Sequence, residues 1–406
     1  MSVDIPGAHN ALVDVRTGRT TTWADLPAVD LPAPAAVVAP SSFDALAAVH
    51  AHARTGAEFL VVARGRMEQH LRAELLDAGF NVVEDGAVER AHQPRSAQDG
   101  RLWLLTSGST GRPKRIGHTL GSLTTVSGEM APRRWLCPYS PGTYAWWQVV
   151  TLGLTVPGQD VVFTDPARLE DWPRLALEHG VDAVSGTPTF WRQALTTAGD
   201  TLGQVPLRQV TLGGEPVDQA VLDRLRTTFP DARISWIYAS SEVGASVVVH
   251  DGQAGFPVQW LDVERPGRPV LSVRDDELVV RSPHHGVGLD GEVRTGDRVE
   301  VRDGRVLIVG RLDGDEINVG GAKASAAAVR ECLQAHPDVA WASVRGRKAP
   351  MVGTVVVADV VPSNGAADLE AALTTWSRAR LPEHAVPRRF RFLDQIPAKE
   401  TLKSDV

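Results

Sequence analysis

The chain is poor in lysine and cysteine and has no long apolar run. Two cysteines in 406 residues, Cys137 and Cys332, give neither a disulfide framework nor a metal-binding pattern. Both read as small buried apolar residues. No stretch approaches the ~20 apolar residues of a membrane helix. The start Met1-Ser2-Val3-Asp4-Ile5-Pro6 lacks the positive region and apolar core of a secretory signal, so a cytoplasmic protein is expected. A net charge of −7 with no basic block argues against nucleic acid as the main partner. Lysine occurs five times, at Lys114, Lys323, Lys348, Lys399 and Lys403, so each one merits inspection. The rest is ordinary: 43% hydrophobic and 22% charged residues, with length for two or three domains.

What is present is a loop, Thr106-Ser107-Gly108-Ser109-Thr110-Gly111-Arg112-Pro113-Lys114, directly after the apolar run Leu102-Trp103-Leu104-Leu105. Glycines let backbone N–H groups approach phosphate oxygens, and the Ser and Thr hydroxyls add donors. Lys114 adds a cation. The segment reads as a cradle for a nucleotide triphosphate. It is not the Walker form, because its lysine follows proline and no Ser or Thr comes after it. A polar surface turn has the same composition, so the loop alone does not decide.

Upstream, Ala11–Asp14 and Arg16–Trp23 read as two short strands, Phe59–Ala63 as a buried strand, Met67–Ala78 as a helix and Phe80–Val83 as a strand. Downstream, a helix is expected over Thr119–Met130. Strand candidates follow at Val161–Phe163, Ala183–Ser185, Gln209–Leu212 and Ile234–Tyr238. Alternation of this kind predicts an α/β fold with a largely parallel sheet, whose ligand crevice lies at the carboxyl ends of the strands. From about Leu271 the chain turns to short strands with tight turns, including Asp303-Gly304, a hairpin signal. Residues 314–406 read as a small α+β domain.

Five separated motifs in order resemble the adenylate-forming superfamily: acyl- and aryl-CoA ligases, peptide-synthetase adenylation domains and beetle luciferases. They are the Thr106–Lys114 loop, Gly213-Gly214-Glu215, Tyr238-Ala239-Ser240-Ser241-Glu242, Arg294-Thr295-Gly296-Asp297, and Gly310-Arg311-Leu312-Asp313 running on to Lys323. Pro397 with Lys403 adds a degenerate sixth. The resemblance implies a large N-terminal α/β domain over 1–313, of layered sheets with helices and a small β-rich subdomain. A mobile C-terminal α+β domain over 314–406 would follow, hinged at Asp313.

It also implies the chemistry. A carboxylate attacks the α-phosphorus of ATP, giving an acyl-adenylate and pyrophosphate, and the growing charge needs donors, a cation and Mg²⁺. Thr106, Ser107, Gly108, Ser109, Thr110, Gly111 and Lys114 would hold the β- and γ-phosphates. Ser241 would bond the α-phosphate and Glu242 would bind Mg²⁺, which prefers hard oxygen ligands. Gly213, Gly214 and Glu215 would flank the adenine, with Tyr238 stacked opposite. Asp297 would take the ribose hydroxyls, joined by Arg311. Lys403 matches the mobile catalytic lysine, with Lys399 as the alternative. The family has glycine where this chain has Arg115 and Leu402, and lysine where it has Asn318. The region before the phosphate loop is also shorter.

The acyl pocket is expected from Tyr139, Tyr144, Trp146, Trp147, Gly186, Thr187 and Trp191. The resemblance implies that amino-acid-activating members carry an aspartate near the start of this region to pair the α-ammonium; none lies between Trp135 and Val150, so an aryl or other small non-α-amino acid is expected. CoA or the phosphopantetheine of an acyl carrier protein would accept the acyl group. An amine acceptor and a degenerate nucleotide-binding regulator remain open.

Overall fold

A computed structural model describes residues 5–106, 114–126, 128–164, 166–289, 291–312, 315–349, 353–363, 369–398 and 402–404; of 166–168 it describes the backbone alone. Two α/β sheets form the body. One has eight strands, in the order Gly244–Val249, Arg233–Ser240, Gln209–Gly213, Ala183–Gly186, Arg133–Cys137, Gln159–Phe163, Ala11–Asp14 and Arg19–Thr22. Its two edge strands are antiparallel to their neighbours and the six between are parallel. The strand order turns back at Arg133–Cys137, because the next strand, Gln159–Phe163, lies on one side of it and Ala183–Gly186 on the other. A crevice opens at such a switch point, outside the carboxyl ends of the strands.

The second sheet has six strands, and Phe59–Ala63 at its centre is buried at every position. A parallel strand covered on both faces needs that continuous apolar run. The two sheets approach closely at Gly142, which has φ +82° and where a Cβ would stand 2.1 Å from the Val61 carbonyl oxygen. Only glycine fits there. A third sheet, of five strands between Phe256 and Arg311, is antiparallel. The Asp303-Gly304 turn has φ +51° and +75°, as a tight hairpin requires. Asp275-Asp276 makes the equivalent turn without glycine, at +52° and +59°.

Residues 315–398 build their own core. A three-stranded sheet, Val339–Ala349, Gly353–Pro362 and Arg389–Phe392, carries the helices Ala326–Gln334 and Leu369–Arg378. Ile317, Val329, Leu333, Val356, Val360 and Leu373 fill the space between them. This unit docks on the body through buried polar contacts. Arg192 pairs with Asp218 and donates to the Ala340 carbonyl at 3.0 Å, and Gln334 Nε2 donates to Asp218 at 3.3 Å.

One expected element is shorter. The helix predicted over Thr119–Met130 spans only Leu120–Leu123. Thr119 and Ser122 close a capping box at its start, and the β-branched run Thr124-Thr125-Val126 then leaves the helical region.

Candidate active site

Four strands of the large sheet end at one crevice. Cys137 leads to Tyr139, Gly186 to Thr187, Gly213 to Gly214-Glu215, and the last strand carries Tyr238 on to Ser240. All three tyrosines of the chain lie here. The Tyr139 hydroxyl is 3.1 Å from Ser185 Oγ, and burial raises its pKa. Tyr144 is half-buried, and a Cβ on Gly244 would stand 3.4 Å from its hydroxyl. Tyr238 donates from its hydroxyl to Asp297 Oδ2 at 2.6 Å. Burial, with the Asp297 charge beside it, pushes the Tyr238 pKa up, so the phenol keeps its proton and donates.

The smaller sheets complete the site. Thr106 and Lys114 are paired partners of an antiparallel hairpin, which places Lys114 at the mouth of the loop between them. Ser107, Gly108, Ser109, Thr110 and Gly111 lie outside the described residues, as do Asp313 and Lys399. Asp297 comes from the five-stranded sheet. Its carboxylate accepts from Arg311 Nη1 at 3.1 Å as well as from Tyr238, and its N–H donates to Thr295 Oγ1 at 3.1 Å. Buried Glu277 accepts from Gly296 N at 2.7 Å and so fixes the turn that presents Asp297.

Glu242 is half-buried, and among the described residues no side chain donates to its carboxylate. Its backbone is held firmly. The Glu242 N–H donates to Ser240 Oγ at 3.2 Å, and its carbonyl accepts from Gly286 N at 2.8 Å. Among the described residues no group of three or more His, Cys, Asp or Glu side chains could hold a metal by itself. A single carboxylate suits Mg²⁺, which keeps waters and takes its remaining ligands from substrate phosphates.

The C-terminal segment reaches the same crevice. Gly214 has φ +86°, and a Cβ there would stand 3.2 Å from Lys403 Cε and 3.8 Å from its Nζ. Lys403 is otherwise exposed. Leu402 is buried in the main core at 6% exposure with φ +61°.

Two sets of expected site residues make contacts within the protein. Trp146, Trp147 and Trp191 are at 0% exposure and belong to the hydrophobic core. Trp191 stacks edge-on with Phe190 and Phe229 at 5.4 and 6.1 Å and donates to the Thr211 carbonyl. The Glu215 side chain is engaged within the protein. Its two oxygens accept from Thr189 N and Oγ1, each at 3.0 Å, and from Ser404 N and Oγ at 2.8 and 3.1 Å.

His118 is a residue that sequence reasoning missed. It is fully buried, and its Nε2 is 2.8 Å from the Ser241 carbonyl while Nδ1 is 2.9 Å from Ser122 Oγ. A carbonyl only accepts, so Nε2 carries the proton. Burial lowers the ring's pKa, which keeps it neutral. His118 thus ties the phosphate-loop hairpin to the Ser241-Glu242 turn across the two sheets. His118→Phe keeps the ring but leaves the Ser241 carbonyl without its donor. It is expected to cost about 1–3 kcal/mol of stability, measured by denaturant unfolding.

The AMP-binding enzyme family matches residues 33–296, and its AMP-binding enzyme C-terminal domain matches residues 329–403. The chain therefore belongs to the AMP-binding enzymes, the adenylate-forming superfamily. It is 26% identical over 404 residues to surfactin synthase subunit 1 of Bacillus subtilis (strain 168), covering 86% of this chain but only 11% of that much longer protein. It is 29% identical over 347 residues to feruloyl-CoA synthase of Amycolatopsis sp, covering 75% of this chain and 68% of that one. The fold also matches amide bond synthetase McbA of Marinactinospora thermotolerans, with a TM-score of 0.72 at 21% identity over 98% of this chain and 96% of that one. Among the described residues no helix is long and apolar enough to cross a membrane.

Proposed function

We propose that this protein is an ATP- and Mg²⁺-dependent ligase that activates a small aryl acid as its adenylate and passes the acyl group to a pantetheine thiol. The observation that carries this is the placement of Lys403 at Gly214, on the crevice edge that also holds Tyr238 and Asp297. In this reading Lys403 is the cation that comes to the point where a carboxylate and the α-phosphate would meet.

Each residue then has a task. Asp297 and Arg311 orient the ribose, and Tyr238 lies along the adenine. Lys114 and the loop before it hold the β- and γ-phosphates. Glu242 would hold Mg²⁺, which supplies charge neutralisation on the phosphates. Lys403 offsets charge as the acid's oxygen attacks the α-phosphorus and the bond to pyrophosphate breaks, which is electrostatic catalysis by a placed donor. Tyr139, Tyr144, Gly186 and Thr187 border the acid. Tyr139 and Tyr144 give the acid aromatic neighbours, and the absence of an ammonium-pairing aspartate between Trp135 and Val150 supports an acid without an α-amino group. Feruloyl-CoA synthase, by its name, joins an aryl acid to CoA. The likeness to an amide bond synthetase favours a second reading, in which an amine is the acceptor.

The test is pyrophosphate release from ATP across aryl, fatty and amino acids, with and without CoA. Release with aryl acids, stimulated by CoA, is expected. Release that CoA leaves unchanged but an amine accelerates would favour the amide reading. ATP binding without release from any acid would overturn the ligase reading.

A further inference from the structure

The C-terminal segment is held at the crevice by contacts that the adenylation chemistry itself does not use. Ser404 gives two hydrogen bonds to Glu215 Oε1, from its N–H at 2.8 Å and from its hydroxyl at 3.1 Å. The Thr187 hydroxyl donates to the Leu402 carbonyl. Leu402 adopts φ +61°, a region that a residue with a Cβ rarely occupies, while its side chain is buried against the main core. An isolated antiparallel bridge between Ala398 and Ser404 folds the segment back on itself. Lys403 thus sits between an apolar anchor and a carboxylate.

Glu215 is suited to be that anchor point. A carboxylate only accepts, and here Oε1 gathers three donors, Thr189 Oγ1 with Ser404 N and Oγ, while Oε2 takes Thr189 N. Thr189 lies in the first turn of the helix Pro188–Thr197, whose N-cap is Thr187. The two residues that grip the segment therefore come from rigid positions, one at a helix start and one just after a central strand. The bonds to Ser404 connect residues 189 positions apart, so they exist only when the C-terminal unit is in this pose.

We propose that Glu215 is a positioning residue: it latches the C-terminal segment through Ser404 and so sets the time Lys403 spends at the adenylation site. This rests on the ligase reading above. The latch does not touch substrate. It fixes the population of the pose in which Lys403 can act, and a catalytic cation present for a fraction of the time lowers the rate by that fraction.

Glu215→Gln removes the charge from two hydrogen bonds at the tail and is expected to lower acid-dependent pyrophosphate release about tenfold or more. The KM for ATP should stay within about twofold, because the substitution changes the side chain and leaves the backbone along the adenine in place. Ser404→Pro removes both donors without touching Glu215 or Thr189, and should give the same loss with unfolding unchanged. The decisive measurement is the double variant. Glu215→Gln in a Lys403→Ala background should cost nothing further, because a latch acts only through the lysine it delivers. Additive losses would mean that Glu215 supports the helix start or the nucleotide, and would overturn the proposal. A second readout needs no turnover. Trypsin cleavage after Lys403, followed by intact mass, should run about tenfold faster in Glu215→Gln, since cleavage follows the open population. Unchanged cleavage would equally overturn the latch. If the wild type releases no pyrophosphate while cleavage does accelerate, the ligase reading fails and the docking contact stands.

Discussion

Lys403→Ala is expected to slow adenylation by about 10²–10³-fold and to leave ATP affinity within about twofold, since one preorganised donor aimed at developing charge is worth that much. The asymmetry follows from where the lysine comes from. Every other group at the crevice is carried by the body of the protein and meets the nucleotide whenever it binds. Lys403 arrives on the last described segment and lies against Gly214, a position with no side chain to block it. A group delivered this way contributes to the transition state without contributing to ground-state binding. Pyrophosphate release and an equilibrium nucleotide titration on the same variant separate the two. A variant that turns over like the wild type would remove Lys403 from the chemistry and leave Lys399 as the lysine to test.

The residues at strand ends were legible because two local signals coincide there. An apolar run that stops at Gly-Gly-Glu, or at Ala-Ser-Ser-Glu, reports both a buried strand and the place where the chain meets solvent, which in this architecture is the crevice. The hairpin at Asp303-Gly304 was legible for the same reason, whereas the turn at Asp275-Asp276 was not, since aspartate enters the left-handed region without announcing it as glycine does. Contacts across long separations were not legible. His118 bonds the Ser241 carbonyl 123 positions away, and nothing local in Ile116-Gly117-His118 marks that histidine as different from His50 or His52. Glu215 looked like part of a nucleotide motif, and only the arrival of Ser404 shows how its carboxylate is spent. The tryptophans are a different case. A large indole favours a pocket wall and a core alike, and Trp146 and Trp191 were resolved only by their complete burial.

Leu402 shows a departure from the family motif with a physical account. Glycine would allow the left-handed backbone at no steric cost. Leucine accepts that cost, and its buried isobutyl group offsets it, because burying a leucine side chain contributes about 1.5–3 kcal/mol. The substitution therefore exchanges a freely turning joint for an anchored one, which is compatible with a lysine that still reaches the crevice.

Asp297→Ala should produce the opposite kinetic pattern to Lys403→Ala, with a KM for ATP raised by about 10- to 150-fold for each ribose hydrogen bond lost and a smaller change in kcat. Hydrogen bonds to a charged group contribute about 1.5–3 kcal/mol each, and a carboxylate can take both ribose hydroxyls. The site is built in advance for this. Tyr238 at 2.6 Å and Arg311 at 3.1 Å hold the two carboxylate oxygens in place, and Glu277 fixes the preceding turn. Removing the carboxylate also leaves the Tyr238 hydroxyl without its acceptor, so a stability loss of about 1–3 kcal/mol should accompany the weaker binding. Asp297→Asn separates the two effects. Its amide oxygen can still accept from Tyr238, so stability should largely return, while the lost charge keeps ATP binding weak. If Asp297→Ala binds ATP as the wild type does, the ribose is held elsewhere and the Tyr238–Asp297–Arg311 arrangement serves the fold alone. If both patterns appear, combining Asp297→Ala with Lys403→Ala should multiply the losses, because one residue acts on the bound ground state and the other on the charge that develops after it.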